Sequence, residues 1–243
     1  MVDIKTEDLT KKYRNLTAVD SIELSIEHGE LFSLLGVNGA GKSTTIKMLT
    51  CLSKPTSGNA FILGESILTN PFFIKEKIGV SPQETAVAAN LTVRENLEFI
   101  SGIHGSNNSL SKEKAAQMIK KFHFAKYENI RSKNLSGGWQ RRLSIAMALI
   151  SEPKILFLDE PTLGLDVIAR RELWDVISDL KATTTIILTT HYLEEAQALS
   201  DRIGIMSGGK LTAVGTVEEI IKKSGKKNFE EAFITLAGEE TKQ

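Results

Sequence analysis

The sequence predicts an α/β fold with a mainly parallel β-sheet, an antiparallel β layer near the N-terminus and an inserted α-helical subdomain. Three observations indicate this class. Short continuous apolar runs are each followed by a helical pattern, which is typical of the strand and helix units that build a parallel sheet. The N-terminal region instead alternates apolar and polar residues. Residues 90–151 show helical periods and no clear strand.

The N-terminal part of the chain predicts an antiparallel strand and then a strand-loop-helix unit. Residues 22–27 alternate apolar and polar side chains, and a His-Gly pair at 28–29 turns the chain. This is the period of a half-buried strand. The apolar run at 31–35 ends in glycines, and a helical pattern covers 42–52. We therefore expect a buried strand, a glycine-rich loop and a helix in that order.

Two more strand and helix units follow later in the chain. The apolar run at 155–158 precedes a predicted helix at 167–180, and the run at 185–188 precedes a predicted helix at 192–199. In open α/β sheets, ligands bind just outside the carboxyl ends of the strands. The sequence therefore places a candidate site at that edge of the sheet.

The chain is predicted to have a core at 1–85 and 152–225, a helical subdomain at 86–151 and a tail helix at 226–243. Ser111 is predicted to cap one helix of the subdomain. Two amphipathic faces are expected, formed by Leu143, Ala146, Met147 and Ile150 in the subdomain and by Phe229, Ala232, Phe233 and Leu236 in the tail.

Composition excludes several classes of protein. Lys plus Arg and Asp plus Glu both number 30, so no global field attracts nucleic acid or anionic lipid. Cys51 is the only cysteine, which excludes an internal disulfide and favours a buried core thiol. The N-terminus lacks the pattern of a signal peptide, and no apolar run approaches the ~20 residues that span a bilayer. We expect a chain that is soluble by itself, with any membrane role supplied by a partner.

The segment at 36–44 reads GVNGAGKST and satisfies the P-loop pattern between a predicted strand and a predicted helix. Its glycines let backbone N–H groups turn around a phosphate, and the helix dipole adds to the field. Lys42 can reach the β- and γ-phosphates, and the Ser43 hydroxyl can ligate Mg²⁺. The candidate nucleotide-binding residues here are Gly36, Asn38, Gly39, Ala40, Gly41, Lys42, Ser43 and Thr44.

Two neighbouring acids stand at the end of the predicted strand at 155–158. Adjacent strand residues point in different directions, so one carboxylate can hold Mg²⁺ while the next faces the attacking water. We assign Asp159 to the metal and Glu160 to the water.

A Ser-Gly-Gly triplet at 136–138 opens a predicted helix of the insertion, with Ser136 at the N-cap position and two glycines exposing backbone N–H groups. This is a second candidate anion site. It belongs to the inserted segment, and the P-loop already surrounds the β-phosphate. The triplet is therefore not simply another wall of the first site.

In order, spacing and context, these motifs resemble the nucleotide-binding subunit of ABC (ATP-binding cassette) transporters over nearly the whole chain. The resemblance implies a P-loop NTPase (RecA-like) core with ATP and Mg²⁺ as ligands. Six elements carry it: Gly36 to Thr44 resembles the Walker A motif, Gln83 the Q-loop, Leu135 to Gly138 the signature motif, Ile155 to Glu160 Walker B, Leu165-Asp166 the D-loop, and His191 the switch histidine.

By that resemblance, two cassettes pack head to tail, and each ATP lies between the P-loop of one and the 136–138 triplet of the other. Gln83 is expected to touch Mg²⁺ and the attacking water. His191 is expected to contact the γ-phosphate, and Asp166 to pass the state of one site to the other. Hydrolysis would then weaken the interface and let the cassettes part.

Four further residues lie near these motifs. Tyr13 lies where family members place an aromatic ring that stacks on adenine, although packing on an edge strand is the alternative. Trp139 stands where the family most often has glutamine, and the sequence offers no physical account of it. Arg141 and Arg142 could serve the interface, but we expect exposed helical arginines.

The resemblance implies a transport motor at the cytoplasmic face of the cell membrane, working through a separate transmembrane permease subunit. It would act as a homodimer or pair with a related cassette. Residues 161–166 and 228–236 resemble the same segments in the stand-alone ATP-binding subunits of drug, ion or polymer exporters. Export is therefore the expected direction, with import as the alternative. The alternative is a non-transport ABC ATPase acting on nucleic acid or ribosomes. The spacing between Lys42 and Ser136 leaves no room for a long coiled coil, and the chain has one cassette, so we expect no nucleic-acid partner.

Overall fold

A computed structural model describes residues 1–181 and 183–238. The strands are β1 (Val2–Tyr13), β2 (Leu16–Glu27), β3 (Leu31–Leu35), β4 (Ser57–Ile62), β5 (Glu65–Ser66), β6 (Ile78–Ser81), β7 (Ile155–Asp159), β8 (Thr185–Thr190), β9 (Arg202–Ser207) and β10 (Lys210–Gly215). The helices are α1 (Lys42–Leu49), α2 (Pro71–Lys77), α3 (Val93–Ile103), α4 (Asn108–Lys121), α5 (Gly137–Leu149), α6 (Val167–Leu180), α7 (Leu193–Leu199), α8 (Val217–Ser224) and α9 (Phe229–Gly238), with a short 3-10 helix at Ser132–Asn134.

The strands form two sheets. The smaller sheet has the order β2-β1-β4-β5 and is antiparallel. The larger sheet has the order β10-β9-β3-β8-β7-β6, and all its pairs are parallel except β10 with β9. The chain therefore forms the predicted mainly parallel sheet with an N-terminal antiparallel layer.

Both faces of the larger sheet are buried, which explains the continuous apolar runs of its strands. Leu156 of β7 and Leu31 of β3 pack with residues of α3, α4, α5 and α6 on one face. Their neighbours Phe157 and Phe32 pack against the antiparallel layer and α1 on the other. One apolar cluster thus joins the sheet to the helical insertion. The domain boundaries at 86, 151 and 226 stay predictions.

Several predicted helix limits need correction. Ser111 does not cap a helix, because α4 begins at Asn108 and the Asn107 side chain accepts a hydrogen bond from the N–H of Leu110 at 3.0 Å. The first predicted helix ends at Leu49 rather than 52. The predicted helix at 192–199 begins one residue later, with Tyr192 at its N-cap position.

Cys51 and the tail differ from expectation in detail. Cys51 is half-buried rather than a core thiol, and it has a left-handed backbone with φ of 56° just after α1. The tail helix α9 begins at Phe229 rather than 226 and buries Phe229, Ala232 and Leu236 as predicted, while Phe233 is half-buried. Its predicted continuation over 239–243 lies outside the described residues. No helix within the described ranges combines the length and apolar character that crossing a membrane requires.

Candidate nucleotide-binding site

The P-loop connects the buried strand β3 to the start of α1. Gly41 has φ of 103°, and a Cβ at this position would lie 2.4 Å from the backbone oxygen of Ala18. Any larger residue would therefore clash with the antiparallel layer. The close approach leaves the loop wrapped over the first turn of α1, where backbone N–H groups are free to bind an anion.

A cleft of about 690 Å³ opens over this loop at the carboxyl end of the parallel sheet. It brings together Tyr13, residues 38–44 of the P-loop and the predicted catalytic side chains, which lie far apart in the sequence, whereas Gly36 does not line it. The residues that line it are Tyr13, Leu16, Thr17, Ala18, Asn38, Gly39, Ala40, Gly41, Lys42, Ser43, Thr44, Gln83, Glu160, Leu163, His191, Gly208 and Gly209.

Lys42 is the buried cation of the cleft. Its Nζ donates to the backbone oxygens of Gly36 at 2.8 Å and Val37 at 3.2 Å, and it lies 3.5 Å from Glu160 Oε1. Burial lowers the pKa of Lys42, and the carboxylates of Glu160 and Asp159 oppose that shift. The ammonium group is therefore held at the floor of the cleft by the loop itself.

Asp159 lies behind the P-loop at the end of β7. Its Oδ1 accepts hydrogen bonds from the Ser43 hydroxyl at 3.1 Å and from the Thr189 hydroxyl at 2.5 Å. A hydroxyl and a carboxylate are oxygen ligands of the kind that Mg²⁺ prefers. The pair predicted to hold the metal is thus assembled in one place.

Glu160 turns away from Asp159 and faces the cleft. Its carboxylate lies 3.4 Å from Gln83 Nε2 and 3.4 Å from His191 Nδ1. Its backbone is left-handed, with φ of 47°, and its N–H donates to both the carbonyl oxygen and the hydroxyl of Thr189. The three side chains predicted to be catalytic therefore converge on one point.

Part of the cleft comes from residues that the sequence did not single out. Residues 16–18 of β2 and the Gly208-Gly209 turn between β9 and β10 also line the cleft. The N–H of Gly209 donates to the oxygen of Ala40, which ties this turn to the P-loop. Tyr13 stands at the rim, 46% exposed, with Lys11 Nζ 5.1 Å from the centre of its ring.

The Ser-Gly-Gly triplet and Asp166 do not line this cleft. Ser136 is the N-cap residue of α5, and a Cβ on Gly138 would lie 3.2 Å from Cβ of Ala169 on α6. Asp166 caps α6 by accepting a hydrogen bond from the N–H of Ala169 at 2.9 Å. The starts of α5 and α6 therefore lie side by side, away from the P-loop of the same chain.

Trp139 gains a structural explanation as the centre of an aromatic cluster. Its ring centre lies 4.3 Å from that of Tyr127 and 5.4 Å from that of Phe124, both in the connection after α4. The Arg142 guanidinium lies 4.4 Å above the indole and pairs with Glu172 of α6 at 3.0 Å. Trp139 therefore secures the first turn of α5 within its own subdomain.

The expectation that Arg141 and Arg142 are exposed is wrong, because they are 4% and 7% exposed. The sequence periodicity of α5 could not indicate that hydrogen-bond acceptors from other parts of the chain surround both guanidinium groups. Arg142 is buried by Trp139 and Glu172, and Arg141 by the segments around Gln83 and Glu160.

A buried carboxyl lies behind the predicted switch histidine. Glu195 of α7 is fully buried, and its Oε1 accepts a hydrogen bond from Trp174 Nε1 at 3.0 Å. Burial raises the pKa of Glu195 above its ordinary 4.5, while the hydroxyls of Thr190 and Thr162, the Trp174 N–H and the charge of Arg170 oppose the rise. Its Oε2 has no hydrogen-bond partner among the described residues.

This raised pKa predicts a pH-dependent cost to stability. Between pH 4.5 and the pKa in the folded protein, the unfolded chain has released the Glu195 proton while the folded chain retains it. The free energy of unfolding therefore falls as pH rises through that window, by at most about 1.4 kcal/mol per pH unit. In Glu195→Gln, which keeps an oxygen for Trp174, this fall should be absent.

The measurement is urea unfolding of both proteins at a series of pH values. Glu194→Gln is the matched control, because Glu194 is the exposed neighbour on the same helix and its replacement should leave the wild-type slope unchanged. Identical slopes in wild type and Glu195→Gln would contradict the prediction.

The fold and the cleft together define an ATP-binding cassette. The chain belongs to the ABC transporter family, whose sequence model matches residues 19–163. Over 239 residues it is 38% identical to the probable multidrug ABC transporter ATP-binding protein YbhF of Escherichia coli, covering 96% of this chain and 41% of YbhF. It is 40% identical to the daunorubicin/doxorubicin resistance ATP-binding protein DrrA of Streptomyces peucetius, covering 91% of this chain and 68% of DrrA. The chain thus spans well under half of YbhF.

Solved structures confirm the P-loop NTPase fold. An ATP-binding subunit of an ABC transporter superposes with a TM-score of 0.84 at 27% identity, covering 96% of this chain and 98% of that one. The cassette MJ0796, a dimer in a post-hydrolysis state bound to ADP and Pi, superposes with a TM-score of 0.79 at 27% identity, covering 88% and 98%. The chain is therefore a member of the ABC ATPase family.

The residues present fit a magnesium nucleotide. The P-loop approaches Ala18 so closely that only glycine is tolerated at Gly41, which shapes a cradle of backbone N–H groups. The Ser43 hydroxyl and the Asp159 carboxylate supply oxygen ligands. His191 Nδ1 is buried and has no well-formed hydrogen bond among the described residues, although Glu160 lies 3.4 Å from it.

Proposed function

We propose that this chain binds ATP with Mg²⁺ and hydrolyses it to power transport through a separate transmembrane partner. The observation that carries the proposal is one cleft lined by Lys42, Ser43 and Glu160, with the Asp159 carboxylate bonded to the Ser43 hydroxyl just behind the lining. These are a phosphate ligand, a metal-binding pair and a base within reach of one another. Such an arrangement suits phosphoryl transfer, in which catalysis depends mainly on positioning and electrostatic stabilisation.

The P-loop and Lys42 would hold the β- and γ-phosphates, and Tyr13 at the rim would stack on the adenine. Ser43 and Asp159 would hold Mg²⁺, with Gln83 at its edge. When bound, the ion neutralises charge on the phosphate oxygens. Thr189 fixes the Asp159 carboxylate, so that this ligand is oriented before the nucleotide arrives.

Glu160 would orient the attacking water and accept its proton. The water oxygen forms a bond to the γ-phosphorus, and the bond from that phosphorus to the bridging oxygen breaks, so ADP leaves with the electron pair. His191, which shares the Glu160 carboxylate, would contact the γ-phosphate and hold this geometry. Gln83 contacts the other carboxylate oxygen and would sense whether the site is filled.

Completion of the site would require a second cassette. The backbone N–H groups at the start of α5 would form an anion site, and the 136–138 triplet does not line the cleft of the same chain. In a head-to-tail pair, Ser136, Gly137 and Gly138 of one chain would contact the γ-phosphate held by the other. Asp166 starts α6 beside this triplet and would pass the state of one site to its neighbour. The partner is a second copy or a related cassette.

A groove of mixed polar and apolar lining, beside exposed apolar side chains of α3, offers a place for the transmembrane partner. It has a volume of about 210 Å³ and lies between β6, α3 and α5, with Pro82 beside Gln83 in its lining. On α3, Phe99 and Ile103 are 55% and 63% exposed, next to the Ile100 and His104 that line the groove. Exposed apolar surface of this kind marks an interaction site. We place the chain at the cytoplasmic face of the cell membrane, bound there by an apolar segment of a permease.

Export is the direction we propose, because the relatives DrrA and YbhF are named for drug resistance and multidrug transport. The cargo would be recognised by the permease.

Mild-detergent purification from the native cell tests the transport proposal. The wild-type chain should bring a membrane protein with it, whereas Phe99→Glu should lose at least about 90% of that protein, because it places a charge in an apolar contact. The isolated variant should hydrolyse ATP at the wild-type rate. Ile234→Glu, at an exposed apolar residue of α9 outside the groove, is the matched control and should keep the partner. Recovery of ribosomes or DNA instead of a membrane protein would contradict the proposal.

A further inference from the structure

We propose that Arg141 is a positioning residue that couples the start of α5, where the ATP of the second cassette would bind, to Gln83 and Glu160 in its own chain. The inference rests on the proposed function, because it concerns how one site responds to the other. Arg141 would link the two parts of the ATP site, one of which comes from each cassette.

The contacts of Arg141 define this path. One terminal nitrogen of its guanidinium donates to the backbone oxygen of Pro82 at 2.5 Å, and the other donates to the oxygens of Gln83 at 2.6 Å and Glu160 at 3.1 Å. A single nitrogen thus joins the loop that carries Gln83 to the residue predicted to activate water. All three acceptors are backbone atoms, so Arg141 fixes where these segments run rather than how their side chains rotate.

Burial makes these bonds costly to lose. Arg141 is 4% exposed, and burial lowers its pKa, while the carboxylates of Asp159, Glu160 and Glu195 oppose that shift. A buried guanidinium is tolerated only when its donors are satisfied. Without the guanidinium, the carbonyl oxygens of Pro82 and Gln83 would lose this partner, while that of Glu160 would keep the N–H of Leu163. The side chain therefore has little freedom to move independently of the segments that it joins.

The backbone of Glu160 needs such support. Its left-handed conformation is unfavourable for a residue with a side chain and persists only where the surroundings enforce it. Thr189 holds the N–H of Glu160 from one side, and from the other side its carbonyl oxygen accepts hydrogen bonds from Arg141 and from the N–H of Leu163 at 3.2 Å. The direction of the Glu160 carboxylate thus depends on where α5 places Arg141.

The position of Arg141 on α5 supplies the coupling. It lies about one helical turn after the Gly137 and Gly138 N–H groups, and a helix transmits a displacement of its first turn rigidly over that distance. When a γ-phosphate docks on the start of α5, the guanidinium would move with the helix. The loop at Gln83 and the strand end at Glu160 would then move together. A shift of about 1 Å at reacting groups can change a rate by about 10²-fold.

Steady-state hydrolysis by Arg141→Lys and Arg141→Met tests the inference, with rates normalised to the number of ATP-binding sites. A lysine has one compact ammonium group and does not reproduce the planar fork of arginine. We expect kcat to fall about 10–100-fold in both variants and KM for ATP to change less than about 3-fold. Arg94→Met is the matched control, because Arg94 pairs with Glu98 and Glu128 in the same helical segment and should leave kcat unchanged. A kcat within 2-fold of wild type in Arg141→Lys would overturn the proposal.

A double-mutant cycle separates positioning from loss of stability. If Arg141 acts partly by placing the loop of Gln83, the factor lost in Arg141→Lys should shrink at least about 3-fold in a Gln83→Ala background. If the fold-loss in kcat of the double mutant equals the product of the two single-mutant losses, the proposal is overturned, even if Arg141→Met fails to fold. If the wild-type chain hydrolyses no ATP, the proposed function itself fails. If it hydrolyses ATP with no change in the Arg141 variants, only the coupling fails.

Discussion

Replacing Glu160 by glutamine is expected to lower kcat for ATP hydrolysis by roughly 10²–10³-fold while the Kd for ATP changes less than about 3-fold. Glutamine has the shape of glutamate and keeps an oxygen near Lys42 and His191, but it cannot accept the proton of the attacking water. Binding depends on the P-loop, which this change leaves intact. The variant should therefore form the ATP-bound state and stop there.

The same variant should accumulate as a dimer when ATP and Mg²⁺ are added. Since hydrolysis would remove the γ-phosphate contacts that hold two cassettes together, blocking it prolongs their association. Size-exclusion chromatography with light scattering measures this directly, and a twofold mass increase that depends on ATP is the expected result. Glu194→Gln, the same acid-to-amide change at an exposed residue that does not line the cleft, should hydrolyse ATP normally. If Glu160→Gln hydrolyses ATP at the wild-type rate, Glu160 does not activate the attacking water.

The sequence predicted the strands in which every residue is buried. The runs at 31–35, 155–158 and 185–188 are apolar because both sheet faces are covered, and such a pattern has few alternatives. The long strand β1 gave no such pattern. Its pairing shifts register between Thr6 and Leu9, and Asp8 has φ of 48°, so its buried residues do not alternate. Bulges of this kind depend on the partner strands and are not visible in the strand itself.

The candidate site divides in a similar way. The P-loop was predictable because its glycines, lysine and serine all lie within residues 36–44 and act through local backbone geometry. The cleft wall at 16–18 and 208–209 was not, because it faces the P-loop only once the two sheets have packed together. Burial of Arg141 was hidden for the same reason, since its acceptors lie at 82–83 and 160. Side chains whose partners are distant in sequence need the fold before their roles can be seen.

Replacing Lys42 by alanine is expected to weaken ATP binding by about 10–150-fold, which corresponds to the roughly 1.5–3 kcal/mol of a hydrogen bond to a charged group. Lys42 is the buried cation of the cleft, and its ammonium group lies where the P-loop would present phosphate oxygens. Unlike Glu160→Gln, this variant should fail before chemistry. It should not dimerise at ATP concentrations that saturate the wild type.

Equilibrium titration with a fluorescent ATP analogue measures the loss, and two further variants interpret it. Lys42→Met keeps the apolar stem that packs in the loop, so equal weakening in both variants would show that the charge is responsible rather than a packing defect. Lys47→Ala removes a lysine from the exposed side of the same helix and should bind ATP normally. If Lys42→Ala binds ATP as tightly as wild type, the P-loop does not hold the phosphates as proposed. The predicted arrest of Glu160→Gln would then need another binding site, because the water that Glu160 activates can attack only a phosphate that is held within its reach.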